Sequence, residues 1–287
     1  MHFESLTQYI AHQRQSPGKG PFALVFVEDR MEVDSTLRHL KNLGFERLLA
    51  FLPPVQNIDE DLQPFVSRID FDIPAEDDYL MAVNTIIPAF PGDWFHYCFN
   101  AEYLFYPFCE SRNIVELLSF HAEERREAML TYVIDLYAAD LSAHPNAASL
   151  EDAHLDKVGY YAQARIAPDG THLERQLDFH GGLRWRYEEH VPENRRKIDR
   201  IGLFRAKPEL VLRRNHTLSE EEYNTYSCPW HNNLTATIAS FRAAKALKRN
   251  PGSSHVITNF QWHNSVPFDW HSRQLLDLGL MEPGQWF

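Results

Sequence analysis

The segment Phe22-Ala23-Leu24-Val25-Phe26-Val27 (FALVFV) determines the fold class that we predict for this sequence. It is short and apolar at every position, which is typical of a strand buried on both faces of a parallel sheet. Charged residues follow at Glu28-Asp29-Arg30, and a helix is predicted over residues 34–43 because leucines recur there on one helical face. Gly44 ends that helix, as a glycine after the last turn commonly does. The segment therefore opens a strand–helix unit.

The same pattern continues along the N-terminal half of the chain. Strands are predicted over residues 47–52, 68–73 and 94–99, and a helix over residues 77–89 that is stopped by prolines. Strands and helices that alternate over short connections form a mostly parallel sheet flanked by helices, which is an α/β fold. Such sheets bind ligands at the carboxyl ends of their strands, and Glu28 and Glu102 each follow a predicted strand.

The C-terminal half has a weaker pattern. Residues 128–138 are predicted to form a strand, with a helix as the alternative, and the polar residues 141–177 are predicted to leave the core. The other predicted elements are a helix over 113–121, strands over 182–187 and 200–205, and a helix over 234–249. We predict one domain over residues 1–250 and a C-terminal extension, helical and rich in aromatic residues, over residues 251–287 that packs on it.

The composition restricts the partners of the protein. The chain of 287 residues has 28 Lys and Arg against 40 Asp and Glu, a net charge of -12. A chain this acidic repels polyanions, so we expect no nucleic-acid partner. The three cysteines lack the spacing of a zinc site, and the N-terminus lacks the apolar core of a signal peptide. We expect a cytoplasmic protein without a transmembrane segment, for which peripheral contact with a membrane stays open.

Short motifs in a fixed order along the chain indicate a family. The first predicted strand ends in Val27-Glu28, and His39 precedes Gly44-Phe45. Trp94 opens a strand that leads into Phe99-Asn100-Ala101-Glu102-Tyr103-Leu104. The later motifs are Asp135-Leu136-Tyr137, Gly181-Gly182-Leu183-Arg184-Trp185-Arg186, Ile201-Gly202-Leu203-Phe204-Arg205, Asn215-His216 and His231. Over residues 21–250 this ordered set resembles the family-2-like glycosyltransferases of bacteria, which have the GT-A fold.

The resemblance implies transfer of a sugar from a nucleotide-sugar donor to a hydroxyl of a glycan or lipid-linked acceptor. It implies that Glu28 lies near the nucleotide, and that Glu102 or Asp135 deprotonates the acceptor hydroxyl. It further implies that Arg184 and Arg186 stabilise the departing diphosphate. A divalent cation, Mn²⁺ or Mg²⁺, would share that task, held by Glu102 and His216.

One departure from the pattern of the family keeps a second function open. The corresponding strand of the family ends in Asp-x-Asp-Glu, and its two Asp hold the cation against the diphosphate. Here those positions are Phe99 and Ala101, neither of which can ligate a metal. The alternative is therefore a catalytically lapsed GT-A scaffold that binds a saccharide or a partner protein. Aromatic residues such as Trp262 either stack on sugar faces or fill the core.

Each candidate residue also has a structural interpretation. Asp135 lies in an apolar run, where a carboxylate is costly unless it is paired, so a buried arginine partner is the alternative to a catalytic base. Glu102 is alternatively a hydrated acid at the end of a strand. Arg184 and Arg186 lie two apart on a predicted strand and are alternatively surface arginines. His216 lacks a second histidine at metal-site spacing.

Overall fold

The computed structural model describes residues 1–15, 18–71, 77–227 and 233–286. The chain divides into two units. The first unit contains Met1–Ala101, Ser111–Met129 and Ile201–Asn224, and the second contains Glu102–Glu110, Leu130–Arg200 and Thr225–Phe287. Each unit is therefore built from segments that are distant in sequence. Residues 251–287, for which the sequence predicts an extension, lie within the second unit.

Twenty-one α-helices and β-strands follow one another along the described residues. They are β1 (His2–Phe3), α1 (Leu6–Gln15), β2 (Phe22–Phe26), α2 (Val33–Asn42), β3 (Arg47–Leu52), β4 (Val66–Asp70), α3 (Asp78–Ile86), β5 (Trp94–Phe99), β6 (Glu102–Phe105), α4 (Ile114–Glu123), β7 (Ala128–Ala138), β8 (Ala153–Asp156), β9 (Tyr161–Ile166), β10 (His172–His180), α5 (Gly182–Arg186), β11 (Asp199–Arg205), β12 (Ala236–Ser240), α6 (Arg242–Arg249), α7 (Pro251–Ser254), β13 (Ser265–Pro267) and α8 (Ser272–Asp277).

The sheet of the first unit is mostly parallel. Strands β1, β4, β3, β2 and β5 pair in that order and run parallel, and β11 pairs antiparallel with β5. Every residue of β2 and β3 is buried, as the continuous apolar run of β2 predicts. Phe22 stacks on Phe95 of the neighbouring strand, with 4.5 Å between the ring centroids. The predicted α/β class, a mostly parallel sheet flanked by helices, is confirmed.

The second unit contains a mixed sheet and a separate hairpin. Strand β12 pairs parallel with β7 and antiparallel with β6, while β8 pairs antiparallel with both β7 and β13. All residues of β7 are buried, which confirms the strand rather than the helix over residues 128–138. Strands β9 and β10 pair only with each other among the described residues, as the predicted excursion over residues 141–177 implies. Within the same range, however, β8 is mostly buried and pairs with β7, so that part of the prediction is wrong. The side chains of Tyr137, Leu183, Ala244, Leu247 and Phe260 belong to one apolar cluster.

Several predicted boundaries agree closely with the structure. The strands predicted over residues 47–52 and 94–99 are found with the same bounds. The helix predicted over 113–121 begins after Asn113, whose side chain accepts a hydrogen bond from the backbone N–H of Glu116. The Glu116 side chain in turn accepts from the N–H of Asn113, so both donors at the start of the helix are satisfied. Local capping chemistry thus determines where this helix begins.

The strand predicted over residues 182–187 is wrong, because Gly182–Arg186 forms the short helix α5. Gly181 and Gly182 have φ angles of 156° and 62°, which turn the chain before the helix. A Cβ built on Gly181 would lie 2.2 Å from a ring carbon of Tyr160, so only glycine fits there. The helical turn directs Leu183 into the apolar cluster of the second unit.

The helix predicted over residues 234–249 is wrong in its first half. Residues Ala236–Ser240 form β12, and only Arg242–Arg249 is helical. Every residue of β12 is buried, and a short buried strand cannot be distinguished from a buried helix by periodicity alone. The strand predicted over 68–73 is found as Val66–Asp70, and residues 72 and 73 lie outside the described residues.

A helix that spans a membrane needs about 20 predominantly apolar residues. None of the helices in the described ranges combines the length and the apolar character needed to cross a bilayer.

Candidate functional site

The strand order of the first unit changes direction at β2. From β2 the chain passes to β3 and β4 on one side, whereas β5 pairs with β2 on the other side. Open α/β sheets bind ligands in the crevice outside the carboxyl ends of the strands at such a switch point. The last residues of the two strands, Phe26 and Phe99, are register partners, so the segments that follow them start side by side. This edge is the candidate site.

Asn100 joins the two strand ends. Its side-chain oxygen accepts a hydrogen bond from the backbone N–H of Glu28 at 2.9 Å. Its amide nitrogen donates to the Asp29 carboxylate and to the Met31 carbonyl, both at 2.7 Å, and its own N–H donates to the carbonyl of Phe26. Asn100 is fully buried, so these bonds replace all contact with water. The sequence analysis did not select Asn100, although an amide directly after an apolar strand was a visible signal.

The loop that Asn100 holds presents Glu28 at the surface of the first unit. On the other strand end, Ala101 has a φ of 63° and its N–H donates to the Thr36 hydroxyl at 2.9 Å. Phe99 and Ala101, the positions at which the resembling family has Asp, are 1% and 0% exposed. The polar groups that this edge presents therefore come from the loop after β2, with Glu28 as the exposed acid.

His216 lies in an aromatic cluster of the first unit. Its Nδ1 is 3.0 Å from the Tyr97 hydroxyl, and its ring stacks on Tyr79 with 5.8 Å between the ring centroids. The Tyr79 ring in turn contacts Phe26 and Phe99, the final residues of β2 and β5. His216 is thus connected through Tyr79 to the candidate edge. The other histidine of the family motifs, His231, lies outside the described residues.

Glu102 is the first residue of β6 and is fully buried in the second unit. Its Oε2 accepts a hydrogen bond from Arg200 Nη1 at 2.7 Å, and its Oε1 accepts from Arg200 Nη2 at 3.2 Å and from the Ser240 hydroxyl at 3.0 Å. This bidentate geometry is the strong form of the carboxylate–guanidinium pair. Both oxygens already accept hydrogen bonds, so we derive no step through a cation held by Glu102.

Acidic, histidine and cysteine side chains are the common metal ligands of proteins. Within the described residues, no group of three His, Cys, Asp or Glu side chains is arranged to hold a metal ion. Glu102 and His216, the two ligands that the resemblance implies, belong to different units.

Asp135 has the arginine partner that its apolar surroundings require. Its carboxylate accepts hydrogen bonds from Nε and from the backbone N–H of Arg184, both at 3.3 Å. The Arg184 guanidinium also donates to the Lys197 carbonyl at 2.7 Å. Burial raises the pKa of Asp135, and the charge of Arg184 opposes that change. Asp135 is thus a buried acid paired with an arginine, which is the arrangement that its structural interpretation expects.

Arg186 is held in the same way by a second buried acid. Its Nη1 lies 3.1 Å from both oxygens of Asp156, and its Nη2 donates to the Phe260 carbonyl. Asp156 also accepts hydrogen bonds from the Tyr137 hydroxyl at 2.5 Å and from the Trp262 indole at 2.7 Å. The sequence did not identify Asp156 as a candidate, because the polar residues around it do not predict that its side chain is buried. Arg184 and Arg186 thus each neutralise a buried carboxylate of the second unit.

Comparisons with known proteins supply no further assignment. No protein-family model matches this chain, and no curated protein matches it. The resemblance to family-2-like glycosyltransferases therefore depends on the ordered motifs alone.

Proposed function

We propose that this protein is glycosyltransferase-like and binds a nucleotide-sugar at the edge where β2 and β5 end. The observation that carries the proposal is the switch point between these strands, with the loop after β2 held by the buried side chain of Asn100. This is the position at which α/β sheets hold nucleotides. It coincides with Glu28, the residue that the family motifs imply lies near the nucleotide.

The chemistry of the edge is compatible with the nucleoside part of such a donor. Ribose hydroxyls and base N–H groups are hydrogen-bond donors, and the exposed Glu28 carboxylate is an acceptor. Met31 N–H and Asn100 Nδ2 both donate to the same oxygen of Asp29, which limits the conformations of the loop. Such restriction lowers the conformational entropy that binding has to overcome.

The acceptor in this proposal is a hydroxyl of a glycan or of a lipid-linked saccharide. The two acids that the resemblance implies for its deprotonation, Glu102 and Asp135, are each buried and held by an arginine. We therefore assign proton transfer to neither residue, and the proposal concerns recognition of the donor.

A second candidate function has its own supporting observation. Phe99 and Ala101 are apolar and buried where the family has its metal-binding Asp pair, and Glu102 is engaged with Arg200. A GT-A-like scaffold that has lost transfer and retains saccharide or protein binding would have these features.

Replacement of Glu28 by glutamine tests the proposed donor site. We expect the wild-type chain to bind UDP or GDP in isothermal titration calorimetry, measured with and without Mn²⁺. Hydrogen bonds to a charged group contribute about 1.5–3 kcal/mol, so Glu28→Gln should weaken nucleotide binding by about 10–100-fold. Glu60→Gln, which neutralises another exposed acid of the same unit, should leave the affinity unchanged.

Two results would separate the candidate functions. If neither UDP nor GDP binds, with or without Mn²⁺, the donor site is rejected and the scaffold function remains. Equal binding by the wild type and by Glu28→Gln would instead place any nucleotide away from this edge. Circular dichroism of each variant verifies that the fold is retained.

A further inference from the structure

The second unit contains a cleft of about 470 Å³ whose walls are aromatic and charged side chains. This volume lies within the range of about 300–1,000 Å³ that is usual for small-molecule sites. The residues that line it come from α5, from the turn after it and from the segment before β13; they are Trp185, Arg186, Tyr187, Glu188, Glu189 and Trp262. We propose that this cleft binds a neutral saccharide.

Trp185 and Trp262 supply the apolar surface of the cleft. Trp185 is 42% exposed, an unusual exposure for a large aromatic side chain. Gly159 has a φ of 96°, and a Cβ built on it would lie 3.5 Å from Cζ3 of Trp185 and 3.9 Å from Cη2 of Trp262. The backbone of Gly159 therefore lies close to both rings. Flat aromatic surface of this kind suits the apolar face of a sugar ring, because it removes C–H surface from water.

Trp262 and Arg186, which line the cleft, are both held by one buried acid. Asp156, which is 1% exposed, accepts hydrogen bonds from the Trp262 indole at 2.7 Å and from Arg186 at 3.1 Å. The guanidinium carbon of Arg186 lies 4.7 Å from the centroid of the Trp262 ring. The cleft wall is therefore built by a buried acid that fixes two side chains at once, and little ordering is required when a ligand binds.

The charges around the cleft select a neutral ligand. Glu188 and Glu189 have side chains that are 57% and 63% exposed, and they repel phosphate groups. Arg186 is paired with the buried Asp156, and Glu188 lies 3.7 Å from Arg196, so the charges of the cleft already have partners and a cation gains little there. A sugar needs no counter-charge, and its hydroxyls can donate to the two glutamates. Within the described residues, the indole N–H of Trp185 has no hydrogen-bond acceptor, so it is available to a ligand oxygen.

This inference does not depend on binding of a nucleotide, because the cleft is formed entirely by residues of the second unit. The test uses the full chain without nucleotide and titrates it with the neutral sugars maltotriose, cellotriose and triacetylchitotriose, followed by calorimetry and saturation-transfer NMR. We expect at least one trisaccharide to bind. Trp185→Ala should weaken that binding by about tenfold, which is the size expected for loss of one aromatic contact. Trp185→Phe should retain most of the affinity.

A matched control is provided by Tyr161, which is 43% exposed in the same unit and does not line the cleft. Tyr161→Ala should leave saccharide binding unchanged. The double variant Glu188→Gln/Glu189→Gln distinguishes the ligand classes: amide oxygens still accept from sugar hydroxyls, whereas a bound cation would be lost. Tetramethylammonium and inorganic phosphate serve as the charged probes.

Three outcomes would overturn the inference. The first is that none of the trisaccharides binds. The second is that a trisaccharide binds equally well to Trp185→Ala. The third is that tetramethylammonium or phosphate binds in a Trp185-dependent manner while the sugars do not. Nucleotide binding at the edge of the first unit is measured separately, so either proposal can fail while the other stands.

Discussion

Replacement of Arg200 by methionine is expected to lower the free energy of unfolding by about 3–5 kcal/mol. Arg200 is 2% exposed and is bound through two hydrogen bonds to Glu102, which is fully buried. Removal of the guanidinium takes a charged, bidentate partner away from a carboxylate in the protein interior, where the charged form is costly. Urea denaturation followed by circular dichroism measures the loss.

Two further variants determine whether the buried charge causes that loss. Arg200→Met combined with Glu102→Leu removes both charges and should recover most of the lost stability. Arg38→Met disrupts an ion pair with Asp59 and Asp61 in which the arginine side chain is 42% exposed, and it should cost less than about 1 kcal/mol. A loss for Arg200→Met no larger than that for Arg38→Met would show that Glu102 does not require its partner. Glu102 would then again be a candidate for deprotonation of the acceptor hydroxyl.

The second large effect is a loss of stability between pH 6.5 and pH 4 that depends on His121. The imidazole is buried, its Nε2 donates to the Ala128 carbonyl at 2.9 Å, and burial lowers its pKa from 6.5 to about 4. A histidine whose pKa is lower in the folded protein than in the unfolded chain contributes its stability above pH 6.5 and loses it as the pH falls towards 4. The difference corresponds to about 3 kcal/mol.

The contribution of His121 to the loss of stability at acid pH is measured by comparing how the free energy of unfolding depends on pH in two proteins. The free energy of unfolding is measured from pH 7 to pH 4 for the wild type and for His121→Leu. Although the variant lacks the hydrogen bond to Ala128, its profile should fall less steeply than that of the wild type in this window. His255→Leu replaces an exposed histidine and should follow the wild-type profile. Parallel profiles for the wild type and His121→Leu would show that the buried imidazole does not control stability at acid pH.

Features encoded over a few neighbouring residues could be predicted from the sequence. The apolar runs of β2, β3 and β5 identify strands buried on both faces, and the alternation with helices predicts the parallel α/β sheet. The position of Glu28 at the carboxyl end of a strand follows from the same pattern, whereas the switch point required the observed strand order. The helix start at Asn113 is equally local, since its capping box spans only four residues.

Features that depend on distant partners required the tertiary structure. The carboxylate of Glu102 accepts a hydrogen bond from Arg200, which lies 98 residues away in the chain. The residues next to Glu102 therefore do not predict its burial or its partner. Asp156 likewise accepts hydrogen bonds from Tyr137, Arg186 and Trp262, which lie on separate segments of the chain. Periodicity assigned Ala236–Ser240 to a helix, whereas pairing with β7 and β6 makes it a strand. Local sequence therefore determined the strand–helix layout and the edge of the first unit. Long-range packing decided which charged residues are structural, because burial of a charge requires a partner that only the folded chain brings within reach.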